Sequence, residues 1–318
     1  MAHTSQAHDR FPAGLPVLTE MGRTASGRAW LDRLPGIVRD VEERWELRLG
    51  PPVHGGSCSW VAPAEGPDGV PAVLKVTWPH REAAGEAPAL HAWGGRGAVR
   101  LHRWDRERGA LLIERCTPGT LLGDAPLPPD EQLAVGARVL RDIWSPHVPE
   151  EGRWGTLERM DAVCAEWADL LQERMRRLRP DYDPGLVALG AELLRTLPAT
   201  AAREVVVHGD ANPGNVLAAT RLPWLAIDPK PMVGDPAYDP TPLLLQIDDP
   251  FEHPDPRPVL RERYALAGEV LGEDPARLLA WSVARGVESA LWSADHDDVP
   301  GGEEELAEVR VLAELAGL

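Results

Sequence analysis

Apolar positions set the first divisions of the chain. Ile37, Val38, Val41 and Trp45 repeat at i, i+4 and i+8 with one apolar neighbour, so residues 28–48 read as an amphipathic helix after a polar, loosely patterned start. From 47 to 116 the pattern shortens to β-like runs, "LRLGPPV", "SWVAPAE", "PAVLKV", "AVRLHRWD" and "ALLIERC". Gly55-Gly56, Gly66-Pro67-Asp68-Gly69 and Arg108-Gly109 separate these runs as hairpin turns would, and a helical patch lies at about 81–93. The pattern predicts a five-stranded, mostly antiparallel sheet with one helix inserted after the third strand.

The Pro- and Gly-rich stretch "PGTLLGDAPLPP" at 118–129 then marks a boundary. Helical patterns follow at 130–145, 155–178, 185–197, 236–247, 257–271, 275–294 and 302–316, with a small β region over 205–228. The expected fold is α+β: a small β-rich lobe over 1–116 joined to a larger helical lobe over 117–318, with a ligand cleft between them.

Composition narrows the function classes. With 318 residues and 43% hydrophobic content the chain can fill a sizeable core. No apolar run approaches the ~20 residues of a membrane span, and the start lacks a secretory signal, so a cytoplasmic protein, with a monomer favoured, is expected. Cys58, Cys116 and Cys164 are scattered, which suggests neither disulfides nor a zinc site. A net charge of −17 argues against nucleic acid and suits a cationic small molecule, although acidity also serves solubility alone.

Among 33 basic residues only Lys75, in "AVLKV", and Lys230, in "IDPKP", are lysines. A compact ammonium differs physically from a planar guanidinium, so both positions are candidates for a required point charge. Neither precedes Ser or Thr, which excludes a Walker A loop. Lys75 in mid-strand fits instead the third-strand lysine of a kinase, with an acidic partner on the following helix. Glu86, Leu90 and Trp93 at i, i+4 and i+7 put Glu86 on the inward stripe, ahead of Glu82.

In "VVVHGDANPGNVLAA", Asp210 and Asn215 have the spacing of the Asp and Asn in a kinase catalytic loop. If "NVLAA" and "WLAID" form a hairpin with Ala219 opposite Trp224, Asn215 faces Asp228 and the two can share a magnesium ion with phosphate oxygens. Each of these residues taken singly is also an ordinary turn former. Upstream, Gly55, Gly56 and Ser57 in "HGGSCSW" could approach phosphates, or form a plain turn, and Glu114–Cys116 ends the small lobe where a kinase hinge offers backbone groups to adenine.

"HGGSCSWVAP", "ALLIERCTPGTLL", "VVVHGDANPGNVL" and "PWLAIDPKPMVGDPAYD" together resemble the aminoglycoside 6-phosphotransferase (streptomycin 6-kinase) and hydroxyurea phosphotransferase family, over about 50–295. The resemblance implies a protein-kinase-like two-lobed fold that uses ATP and Mg2+ to phosphorylate an antibiotic hydroxyl, with streptomycin at its 6-position the expected aminoglycoside acceptor. It also implies roles: Asp210 orients the acceptor hydroxyl, Asn215 and Asp228 hold magnesium, and Lys75, anchored by Glu86, binds the α- and β-phosphates.

Two positions depart from the superfamily: Asn212 stands where His is common, and Lys230 where many relatives carry an acid. Lys230 is expected to neutralise phosphate charge or to order its loop, and His208 to contribute to the electrostatics of the catalytic loop. For a polycationic acceptor the candidate carboxylates are Asp235, Asp239, Glu288, Asp295, Asp297 and Asp298, with Trp292 beside Glu288 on its helix; Asp235 also reads as a helix N-cap and the acidic 295–298 run as a solvated surface. Other readings are a kinase of a different hydroxylated metabolite, or a pseudokinase that binds nucleotide without turnover.

Overall fold

The computed structural model describes residues 10–53, 56–144 and 157–318. Two helices open it, α1 (Pro16–Gly22) and α2 (Ala25–Trp45). Helix α1 was not expected in the polar start. It is short, begins at a proline and buries Val17 and Met21. Helix α2 buries Trp30, Leu34, Val38 and Val41; Ile37 and Trp45 flank that stripe, half-buried.

The sheet follows as expected: β1 (Arg48–Leu49), β2 (Ser59–Glu65), β3 (Pro71–Thr77), helix α3 (Ala83–Trp93), β4 (Leu101–Asp105) and β5 (Ala110–Glu114). Its order is β1-β2-β3-β5-β4, and its neighbouring strands run antiparallel. Side chains alternate across a strand, so the sheet has two different faces. Ala72, Leu74, Val76, Ala110 and Leu112 pack on α1 and α2. Val73, Leu111 and Ile113 join the core that contains α3 and the helical part. Lys75 shares the parity of Val73 and therefore stands on the α3 side.

The remainder is mainly helical: α4 (Pro129–Ile143), α5 (Met160–Leu178), α6 (Pro184–Thr196), α7 (Thr241–Gln246), α8 (Pro256–Leu271), α9 (Pro275–Asp295) and α10 (Val299–Ala316). The helix expected over 236–247 is instead a 3-10 turn at Pro236–Tyr238 followed by short α7. Pro236, Pro240 and Pro242 lack the N–H groups that a continuous helix would need there.

Five short strands complete the fold. β6 (Glu158–Arg159), β10 (Met232–Gly234) and β7 (Val205–Val207) form one sheet in that order; β8 (Val216–Ala218) and β9 (Trp224–Ala226) form a hairpin. The pairing is Val216 with Ala226, Leu217 with Leu225 and Ala218 with Trp224, one residue away from the expected register. A slip of one exchanges the faces of a strand. The register therefore does not place Asn215 opposite Asp228; the Asn215 carbonyl instead accepts the Ile227 amide at 2.9 Å. Asp228 leaves the strand in the left-handed region at φ 54°, which turns the chain before Pro229.

Candidate active site

Sheet parity brings Lys75 to α3, and the helix returns Glu86 to it. Lys75 Nζ donates at 2.8 Å to both Glu86 oxygens, and it also donates to Asp228 Oδ1. Glu86 is thus the partner, while Glu82 stands at the helix start and lines a cavity with Lys230. Burial alone would lower the lysine, but the two carboxylates outweigh it and hold Lys75 above its usual range, as an ammonium. Burial likewise pushes Asp228 up, yet Lys75 leaves its carboxyl below the ordinary value.

The loop after β7 is built from several directions. Gly209 has φ +85°, and a Cβ there would lie 1.9 Å from the Lys230 carbonyl oxygen, so only glycine fits. Its amide donates to Asp239 Oδ1 at 2.7 Å, and the His208 amide donates to Asp239 Oδ2 at 2.7 Å. Burial keeps the His208 imidazole below its usual value and therefore neutral. Nδ1 accepts the Asp210 amide at 3.3 Å, which assigns the ring proton to Nε2, 2.9 Å from the Ile227 carbonyl. The ring stacks on Trp93, with centroids 6.1 Å apart.

Asp210 emerges from this scaffold half-buried. Its Oδ1 accepts from Asn212 Nδ2 at 3.1 Å and its Oδ2 from Lys230 Nζ at 2.8 Å. Burial would raise the Asp210 carboxyl; Lys230 and Asn212 outweigh it and hold the group below its ordinary value. Asn212 also accepts the Gly214 amide and so caps the 3-10 turn Pro213–Asn215. The departure at 212 thus supplies both a cap and a hydrogen bond to Asp210. Asn215 Nδ2 donates to the Asp210 carbonyl at 2.9 Å, which leaves its amide oxygen as a potential metal ligand.

Asn215 and Asp228 offer hard oxygen donors of the type Mg2+ takes when phosphates and water fill its other positions. Among the described residues no cluster of three or more His, Cys, Asp or Glu could hold a metal by itself. The donor set suits a shared protein–phosphate site and not a closed protein cage.

Beside Asp210 and Lys230 lies a cavity of about 260 Å³, lined also by Arg81, Glu82, Trp167, Tyr238, Arg285 and Glu288. A second cavity of about 290 Å³ shares Trp167, Tyr238, Arg285 and Glu288 and adds Glu305 and Glu308. Burial pushes the Glu288 carboxyl up, against the pull of Arg174, which donates to it at 3.1 Å. Arg285 escaped the sequence reading. It donates to the Tyr238 carbonyl at 3.0 Å and the Gly209 carbonyl at 3.3 Å, and lies over the Tyr238 ring. Its place three positions before Glu288 on α9 was the available signal.

Several expected residues do other work. Asp235 is buried on Arg277 and Trp281, and Asp239 is buried on the loop amides and on Trp144 Nε1, so neither carboxylate faces an acceptor. Trp292 is exposed and stacks on His296, outside both cavities. Asp295 pairs with Arg174 and Arg177, and Asp298 caps α10.

On the sheet side, Gly55 lies outside the described residues, and Gly56 and Ser57 are exposed. The Glu114 amide donates to the Arg100 carbonyl and its carboxylate binds Arg221, so its hydrogen-bonding groups are largely committed to structure. Cys116 is half-buried, and burial pushes its thiol up to about 11.

Comparison with known proteins places the chain in a family and a fold. Residues 44–297 match the aminoglycoside/hydroxyurea antibiotic resistance kinase family. The chain is 36% identical over 300 residues to a hydroxyurea phosphotransferase of Kitasatospora aureofaciens, covering 92% of this chain and 83% of that one. It is 35% identical over 301 residues to a streptomycin 6-kinase of Streptomyces griseus, covering 92% and 93%. Among solved structures, a choline/ethanolamine kinase family protein from Mesorhizobium loti matches with TM-score 0.58 at 14% identity, over 87% of this chain and 95% of that one. The macrolide 2'-phosphotransferase MphH of Brachybacterium faecium matches with TM-score 0.54 at 18% identity, over 85% and 96%. The fold is protein-kinase-like, and the chain belongs to the aminoglycoside/hydroxyurea antibiotic resistance kinase family.

Proposed function

We propose that this kinase transfers the γ-phosphoryl group of ATP to a hydroxyl of a streptomycin-type aminoglycoside, at the 6-position. The observation that carries the reading is the acidic cavity that shares Trp167, Tyr238, Arg285 and Glu288 with the cavity beside Asp210. Glu288, Glu305 and Glu308 line it with the aromatic rings of Trp167 and Tyr238, a wall suited to a large cation. A net charge of −17 favours the approach of such a molecule.

In this reading Asp210 orients the acceptor hydroxyl and takes its proton as the oxygen–phosphorus bond forms. Its low pKa is compatible with that role, because a loose transition state places most of the demand on positioning and charge. Asn212 and Asn215 hold the carboxylate and its backbone in place. Lys75, fixed by Glu86, receives the α- and β-phosphates. Asn215 and Asp228 hold Mg2+, which offsets phosphate charge when bound. Backbone groups around Arg115–Cys116 take adenine, and Gly56 and Ser57 cover the phosphates.

The relative from Kitasatospora aureofaciens favours a second reading, with hydroxyurea as acceptor. Purified protein with ATP and Mg2+, given streptomycin or hydroxyurea, decides between them by acceptor-dependent ADP release and by product mass. Streptomycin is expected to stimulate turnover and to gain one phosphoryl group. Stimulation by hydroxyurea alone overturns the streptomycin assignment, and stimulation by neither overturns both.

A further inference from the structure

Of the two lysines, Lys75 is explained by its buried pairs, whereas Lys230 has no part in the reading above. Three contacts join its loop to the loop of Asp210. The Lys230 amide donates to the His208 carbonyl at 2.8 Å, the Lys230 carbonyl packs against Gly209, and Nζ donates to Asp210 Oδ2 at 2.8 Å. The first two fix the backbone without the side chain. The side chain itself is 44% exposed, on a flexible four-carbon stem at the edge of the cavity that holds Asp210.

The other cations of that cavity are committed. Arg81 is paired with Glu158 and Glu166. Arg285 serves the Tyr238 and Gly209 carbonyls and lies over the Tyr238 ring. Lys75, which does not line that cavity, is clamped by both Glu86 oxygens and by Asp228, so two carboxylates already answer its one charge. A phosphoryl group passing to a hydroxyl held on Asp210 arrives beside that carboxylate, within reach of the ammonium that touches it.

We propose that Lys230 is a second phosphate-binding cation: the ammonium that here pairs with Asp210 turns to the γ-phosphoryl oxygens of bound ATP, freeing Asp210 Oδ2 for the acceptor hydroxyl. This rests on the reading of ATP as donor and Asp210 as the residue that holds the acceptor. The acceptor oxygen bonds to the γ-phosphorus, and the bond to the β,γ-bridging oxygen breaks. ADP leaves with that electron pair, and the hydroxyl proton passes to Asp210. Lys230 exchanges no proton; its charge offsets that on the transferred oxygens.

The test compares calorimetric binding of magnesium ADP and of a magnesium-bound, non-hydrolysable ATP analogue by the wild type, Lys230→Met and Lys230→Arg. Lys230→Met is expected to bind the ATP analogue about ten-fold more weakly with ADP affinity unchanged, as loss of one charged hydrogen bond would give. Lys230→Arg recovers part of that discrimination. Equal effects on both nucleotides, or no effect on either, overturn the proposal and leave Lys230 as a tie between loops. A wild-type protein that binds neither nucleotide overturns the ATP reading, and this inference with it. The backbone contacts survive either substitution, so thermal melting close to wild type is expected and shows that the variants fold.

Discussion

Asp239 Oδ1 lies 2.7 Å from the backbone nitrogen of Gly209, thirty positions earlier in the chain. The second oxygen takes the His208 amide and the Trp144 indole, so one buried carboxylate gathers three donors and fixes the backbone immediately before Asp210. Asp239→Asn keeps the shape but turns an amide NH2 toward these donors. Each buried polar group left unsatisfied costs about 1–3 kcal/mol. We expect a lower urea midpoint and, because ~1 Å of misplacement costs ~100-fold in turnover, a collapse of kcat with nucleotide affinity nearly retained. Wild-type kcat in a folded Asp239→Asn would show that the loop holds its position without this carboxylate.

The Lys75–Glu86 pair lends itself to a double-mutant cycle. Lys75→Met leaves Glu86 buried and only 2% exposed, without its ammonium. Breaking one side of a buried pair costs about 3–5 kcal/mol, while replacing both sides with apolar groups is often near neutral. Lys75→Met should therefore lower stability strongly, and Lys75→Met with Glu86→Met should restore most of it. Phosphoryl transfer should be absent in both, since the phosphate contact is gone. Denaturant melts read the first effect and ADP release the second; a double variant no more stable than Lys75→Met would refute the pairing argument.

These residues show what the sequence pattern can and cannot reveal. Lys75 and Glu86 were legible because strand parity and helical spacing are local, and each fixes a face. The hairpin register was missed by one residue, because strand ends are set by partners outside the hairpin. Leu121 bridges to Leu217, Ala98 bridges to Ala226, and Arg221 anchors the turn on Glu114. Asp235 and Asp239 were expected on the acceptor side because a carboxylate after the metal loop looks available. Their donors, Trp281 and Arg277 for one and the His208 and Gly209 amides for the other, come from distant segments that no local period announces.

Glu308 gives the acidic cavity a pH signature. Burial, and then Asp249, Glu305 and Glu304, push its carboxyl up to about 7 from an ordinary 4.5. Between those values the folded chain keeps a proton that the unfolded chain has lost, so stability falls as pH rises through that window, and the penalty is complete above it. Glu308→Gln removes the penalty. Discounted for solvent screening of a half-exposed group, the gain should be about 2 °C in Tm at pH 8 and near zero at pH 4. An equal gain at both values would point to packing and not to charge.

Glu288 separates the two acceptor readings. It borders both cavities, and Glu288→Gln can still accept from Arg174, which keeps Asp295 as an ion partner. The substitution therefore removes negative charge from the cavity wall with little change of shape. If the wall selects a cationic acceptor, the KM for streptomycin should rise about ten-fold, equivalent to ~1.4 kcal/mol of lost binding. The KM for ATP should stay within about two-fold, and any turnover of hydroxyurea, which carries no cation, should be indifferent. Steady-state kinetics with each acceptor measures this split. A streptomycin KM unchanged in Glu288→Gln would mean that Glu288 serves only to hold Arg174 against α9, and that acceptor charge is read elsewhere on the wall.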